Sequence, residues 1–125
     1  MIHHCSIGVR NLEQAGRFYD GVLGCLGFMR TAQGPSFIGY GIEHGVDPFY
    51  IALSERAAPP GPGAHIAFSA PDRAAVGSAY DAALRLGGTD NGPPGVRDQY
   101  GPCYFAAFVV DLDGNRIEFV HDAGL

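Results

Sequence analysis

The chain repeats itself. Displaced by 61 positions, His4 falls on His65, Gly16 on Gly77, Tyr19 on Tyr80, Asp20 on Asp81, Leu23 on Leu84 and Gly27 on Gly88. Average composition matches roughly one or two positions by chance in a window of this length, so the chain is read as two copies of one supersecondary unit. That constraint governs every later step, because residues at equivalent places in the two copies come to equivalent places in the fold.

The repeat carries its own punctuation. Asn11 aligns with Asp72, and either side chain can cap a helix by accepting from a free N–H of the first turn. Behind Asn11, residues Leu12, Ala15, Phe18, Tyr19, Val22, Leu23 and Leu26 keep the three-and-four spacing of one helical face; behind Asp72, Val76, Ala79, Tyr80, Ala83 and Leu84 do the same. Both helices are expected to stop at glycine, Gly27 and Gly88, where a left-handed backbone carries no Cβ penalty. Ahead of the caps, His4 to Val9 and His65 to Ala70 have strand length and pattern. Further strands are expected at 36–40, 49–53, 104–110 and 116–120, with weaker ones near 29–32 and 95–99. Asp113-Gly114 between two apolar runs signals a hairpin. The expected fold is α+β: two tandem βαβββ modules, 1–56 and 64–125, joined by the proline-rich linker 57–63 into a single domain, with a cup-shaped mixed sheet and helices outside.

Strand parity then brings chemistry together. His4, Ser6 and Gly8 point one way along the first strand, opposite Cys5, Ile7 and Val9; His65, Ala67 and Ser69 likewise oppose Ile66, Phe68 and Ala70. The apolar rows can pack under the helices and leave the histidine rows facing the open side. The closing strands align at an offset of 66, which pairs Ile51 with Ile117 and Ala52 with Glu118. Glu118 is flanked by Ile117 and Phe119, so an inward carboxylate there needs a partner, since an unpaired buried charge is costly. Two histidines and a carboxylate form a recurring open metal site that leaves positions for water and substrate. His4, His65 and Glu118 are therefore the expected ligands of one divalent ion, zinc, iron, manganese, nickel or cobalt. Such an ion acts as a Lewis acid on a carbonyl or enediolate oxygen, or activates oxygen if it is ferrous. Glu118 and Tyr104 are the candidate catalytic groups, and Tyr40, Tyr50, Arg97 and Tyr100 are expected to line the rest of the cup. His3 has the opposite parity and aligns with Ala64, so it is read as peripheral. His44 and His121 are expected to be exposed. The loop 89–101 reads as a lid or as an ordinary surface loop.

Composition narrows the partners. The 125 residues are 46% hydrophobic and 17% charged, with net charge −5, eight arginines and no lysine. A globular domain of that kind lacks the basic patch a nucleic-acid backbone demands and the basic amphipathic helix of a membrane binder. A small molecule is the expected partner. The opening residues lack a secretory pattern and the three cysteines show no CxxC spacing, which points to a reducing cytoplasm and to Cys5, Cys25 and Cys103 as buried small hydrophobes.

The segments HHCSIGVRNLEQAGRFYDGVLGCLGF, GAHIAFSAPDRAAV and YGPCYFAAFVVDLDGNRIEFV resemble the glyoxalase/bleomycin-resistance/dioxygenase superfamily, the vicinal oxygen chelate proteins. The resemblance covers nearly the whole chain, although Leu112 stands where proline is usual in the turn. It implies paired βαβββ modules, commonly a homodimer, and a site sometimes shared between chains. It also implies that His4, His65 and Glu118 match the superfamily's ligand positions. Glyoxalase I adds a ligand that also serves as base at the end of module one, and that place here is Ala52, which can do neither. The activity implied is that of a metal-dependent enzyme on a small oxygen-chelating substrate, most in keeping with a lyase or isomerase. The alternatives are an extradiol ring-cleaving dioxygenase and a metal-free drug-sequestering protein.

Overall fold

A computed structural model of the chain describes residues 1–46 and 48–124. The first half runs β1 (Cys5–Val9), α1 (Leu12–Gly24), β2 (Met29–Gly34), β3 (Phe37–Gly41) and β4 (Phe49–Leu53). The second runs β5 (Ile66–Ser69), α2 (Arg73–Arg85), β6 (Thr89–Asp90), β7 (Gly95–Val96), β8 (Tyr104–Val110) and β9 (Arg116–Asp122). Each half folds its strands into a mixed sheet. β1 pairs parallel with β4, which continues antiparallel through β3 to β2; β5 pairs parallel with β9, which continues antiparallel to β8, with β6 and β7 both on the far edge of β8. The α+β architecture of two mixed sheets and two helices agrees with the sequence expectation. Among the described residues no helix is long and apolar enough to cross a membrane.

Both caps form as read: the Asn11 side chain accepts from Gln14 N–H at 3.0 Å and the Asp72 side chain from Ala75 N–H at 2.7 Å. The helix ends correct one expectation. Gly27 takes φ +90° and the next residue, Phe28, donates back to Leu23 O, whereas in the second module it is Gly87, at φ +102°, that does this and Gly88 that donates back to Ala83 O. The two helix ends are therefore equivalent at an offset of 60, and the Gly27–Gly88 identity is out of structural register by one. Gly88 has its own reason to be glycine, since a Cβ there would meet Ala83 O at 2.9 Å.

One buried cluster draws on both modules. Phe18, Tyr19, Val22 and Leu23 of α1 join Val76, Ala79 and Ala83 of α2, and beneath them lie Ile51, Phe49, Phe68, Val109, Ile117 and Phe119 from the inner faces of the two sheets. The alanines on α2 allow α1 and α2 to touch directly. A polar bolt crosses the same boundary. The β8–β9 turn folds as a tight turn with Gly114 at φ +88°, and its Asp111 carboxylate accepts from the Asp113 and Asn115 N–H groups and the Asn115 amide. It also accepts from the Tyr19 hydroxyl of the first module at 2.5 Å. Burial, together with the charges and hydrogen bond of Asp111, raises the Tyr19 pKa well above the ordinary phenol value, so this hydroxyl remains a donor. The bolt fixes the hairpin whose second strand carries Glu118.

Candidate functional site

The face of each sheet away from the helices is set by register. In the second sheet Ala67 stands beside Glu118, and Glu118 opposite Phe108, so His65, Glu118, Phe108 and Tyr104 share that face. Their side chains meet. His65 Nε2 lies 2.9 Å from Glu118 Oε1, and the Tyr104 hydroxyl donates to Glu118 Oε2 at 2.5 Å. Glu118 is 2% exposed, while the His65 side chain is 46% exposed. The carboxylate is thus an anchored, desolvated acceptor and the imidazole is its open side. Burial of the Tyr104 phenol and its bond to Glu118 push its pKa up to about 12, which keeps its proton in place at neutral pH.

His4 occupies the equivalent place in module one, a single residue ahead of its strand as His65 is ahead of β5. Its exposed ring lies edge-on to Tyr50 at 5.4 Å, and its Nδ1 sits 2.8 Å from His3 Nδ1. Among the described residues no three His, Cys, Asp or Glu side chains of one chain gather closely enough to hold an ion. The chain therefore assembles two of the three expected ligands, and His4 stands apart from them. A cavity of about 220 Å³ opens between the starts of β1 and β5, lined by His3, His4, Cys5, Phe49, Ile66 and Phe68 among others; neither His65 nor Glu118 reaches it. Apart from the two histidines the lining is mostly apolar.

The other expected cup residues divide. Tyr50 lies on the helix-free face of the first sheet, against His4 and Phe37. Arg97 stacks over Phe108 with Cζ 5.4 Å from the ring centroid, and Tyr100, exposed on its loop, packs against Tyr104 at 5.2 Å. Tyr40 is a correction: it pairs in register with Phe49, is 1% exposed, and packs between sheet and helix with its hydroxyl on Asp20 at 2.9 Å. Counting parity from Phe49 puts it on the core side, which aromatic character alone does not reveal. His121 is likewise half-buried within β9, its Nδ1 3.1 Å from Ala70 O, while His44 is exposed as expected. The three cysteines are free and half-buried rather than fully buried.

Phe108 was not singled out from sequence, yet its ring lies 6.5 Å from that of His65 and touches Arg97 as well. Counting back from the Asp113-Gly114 turn would have placed it opposite Glu118. The loop after α2 is pinned rather than free. Asn91 donates to Phe108 O, Phe108 to Gly92 O and Arg97 to Tyr104 O, while the Asp90 carboxylate takes Gly92 N–H and the Tyr80 hydroxyl. These bonds, the backbone one first, hold the Asp90 pKa below the usual carboxylate value.

Comparison with known proteins bears on the fold. A search of curated proteins finds no match. Among solved structures, a glyoxalase/bleomycin resistance protein from Albidiferax ferrireducens T118 is similar at 30% identity, with TM-score 0.83, covering 95% of this chain and 96% of that one. A putative glyoxalase from Bacillus halodurans is similar at 26% identity and TM-score 0.68, over 96% and 94% of the two chains. The fosfomycin resistance protein FosX from Mesorhizobium loti shares the fold at 23% identity and TM-score 0.67, over 94% and 87%. The family model described as Glyoxalase/Bleomycin resistance protein/Dioxygenase superfamily matches residues 1–119, and with the duplicated module and its sheet order this chain belongs to that superfamily.

Proposed function

We propose that the protein is a divalent-metal-dependent enzyme acting on a small oxygen-chelating substrate, with lyase- or isomerase-like chemistry. The observation that carries this is the pair His65 and Glu118, a nitrogen and a carboxylate oxygen 2.9 Å apart on the helix-free face. Donors bound to one ion at about 2 Å sit roughly 3 Å apart, so the pair fits two neighbouring coordination places. Glu118 is the right residue for a buried ligand: its charge is desolvated and calls for a cation, and the Tyr104 hydroxyl fixes one of its oxygens, as partners of metal ligands commonly do. The third place is assigned to His4 of a second copy, because within one chain His4 is engaged with His3 and Tyr50. The functional unit is accordingly a homodimer.

The ion would supply Lewis acidity toward the vicinal oxygens of a bound substrate. The rest falls to the chain. Glu118 would hold the ion and offset part of its charge. Tyr104 keeps its proton and aims it at the carboxylate. Ala52 contributes no base, so proton movement falls to Glu118 or the substrate itself, with Tyr104 positioning the carboxylate.

The test is elemental analysis of untagged protein beside a His65→Ala variant, followed by oxygen uptake with catechols and turnover of methylglyoxal–thiol adducts. Metal in the parent, lost in the variant, with adduct turnover supports the reading. Oxygen uptake would reassign the chemistry to ring cleavage, and a metal-free protein that holds a planar drug would reassign the protein to sequestration.

A further inference from the structure

Arg97 differs from the other arginines in its setting. Of the eight, all among the described residues, seven are exposed and Arg97 is half-buried. Its N–H bonds to Tyr104 O at 2.8 Å, continuing the β7–β8 pairing, so its side chain leaves on the face of Tyr104 and Glu118. The guanidinium is seated there by its neighbours. It stacks on Phe108, whose ring also meets His65, and Nη2 donates to Pro93 O at 2.6 Å. Two glycines leave it room: a Cβ would stand 3.0 Å from Nη1 at Gly95 and 3.3 Å from Nη2 at Gly92.

What the seat lacks is an anion. A guanidinium offers five N–H donors, and the bond to Pro93 uses one. The ion pairs among the described residues join Arg10 to Asp113, Arg30 to Asp20 and His65 to Glu118, and none includes Arg97. A half-buried cation seated by stacking and one hydrogen bond, without a counter-charge among the described residues, in a protein of net charge −5, is arranged to receive one. The planar fork suits an oxyanion bound through two parallel N–H bonds.

We infer that Arg97 recognises an anionic group of the substrate, so that the substrate class is a vicinal-oxygen chelator carrying a carboxylate or phosphonate. This rests on the metal reading above for where the chelating oxygens bind, and on the Arg97 seat alone for the anion. Three probes share one chelating diol: catechol, 3,4-dihydroxybenzoate and 3,4-dihydroxyphenylphosphonate, titrated anaerobically by calorimetry into zinc-loaded protein and its Arg97→Gln and Arg97→Lys variants. The expected result is a preference of about tenfold or more for a charged probe over catechol, the size of one charge-assisted pair. It should collapse toward unity in Arg97→Gln and partly return in Arg97→Lys, and the better charged probe distinguishes carboxylate from phosphonate. Equal affinity for all three probes, binding of none, or an equal loss for all three in Arg97→Gln overturns the inference, the last because a residue that merely staples its loop would act so. Zinc uptake is titrated separately. If the protein takes up none, the metal reading fails by itself, and the seat is then judged by whether 3,4-dihydroxybenzoate binding to the metal-free protein depends on Arg97; independence overturns it.

Discussion

Replacing Tyr19 by Phe removes one oxygen from the hydrogen bond that joins α1 to the Asp111 carboxylate and leaves the ring, while the Arg10 N–H to Asp113 bond at the same turn is untouched. The ring keeps its neighbours, with Phe18 at 4.9 Å and Phe49 at 5.2 Å between centroids, so no cavity term enters. The lost bond is buried at both ends, Tyr19 being 1% and Asp111 6% exposed. A hydrogen bond to a charged acceptor contributes about 1.5–3 kcal/mol. Asp111 retains three donors from Asp113 and Asn115, so its charge is not abandoned, and the expected loss is about 2 kcal/mol. For a chain of this length that corresponds to a fall in Tm of roughly 6–12 °C. The chain has no tryptophan, so the assay is urea unfolding followed by circular dichroism, with the midpoint lowered and the slope unchanged. A loss below about 0.5 kcal/mol, within the range of ordinary surface substitutions, would refute the idea that this bond fastens the first module to the hairpin carrying Glu118.

Other outcomes follow from the same coordinates. Tyr104→Phe leaves Glu118 Oε2 without its donor and should weaken metal binding about 10- to 100-fold, read by competition with a chromophoric chelator. Because the Tyr104 pKa is raised to about 12 in the folded protein from about 10 in the unfolded chain, the stability it contributes is fully present below pH 10. That stability is lost as pH rises through 12; the absorbance at 295 nm of parent minus Tyr104→Phe should show the late titration, and a step near pH 10 would contradict it. Gly87→Ala forces a side chain onto a φ of +102° with its Cβ 2.8 Å from Leu112 Cδ2 and should cost about 1–2 kcal/mol in urea unfolding, whereas Gly24→Ala, with open space, should not destabilise.

Much of the fold was legible because its signals are local. Asn11 and Asp72 announce caps whatever the tertiary structure, and the Asp113-Gly114 turn sets the β8–β9 register that puts Phe108 opposite Glu118. The parity of β5 and β9 likewise brought His65 and Glu118 to one face before any coordinates. What was not legible depends on contacts between distant segments. Tyr40 reads as a cup aromatic until its register with Phe49 turns it to the core. The one-residue slip between Gly87 and Gly88 hides behind an identity that favours the wrong alignment. The position of His4 cannot be read from a repeat that gives equivalence but not distance: the two modules meet through their helices and the Tyr19–Asp111 bolt, and nothing in the spacing says whether the paired histidines then face each other within a chain or across two.

That question gives the most direct measurement. In a dual-tagged heterodimer of one His4→Ala chain and one His65→Ala chain, a site built from His4 of one copy and His65 and Glu118 of the other is intact once and broken once. Elemental analysis should therefore find one metal ion per chain in the parent, almost none in either variant alone, and one ion per dimer in the mixed species. Full metal content in either homodimeric variant, or an empty heterodimer, would contradict the account.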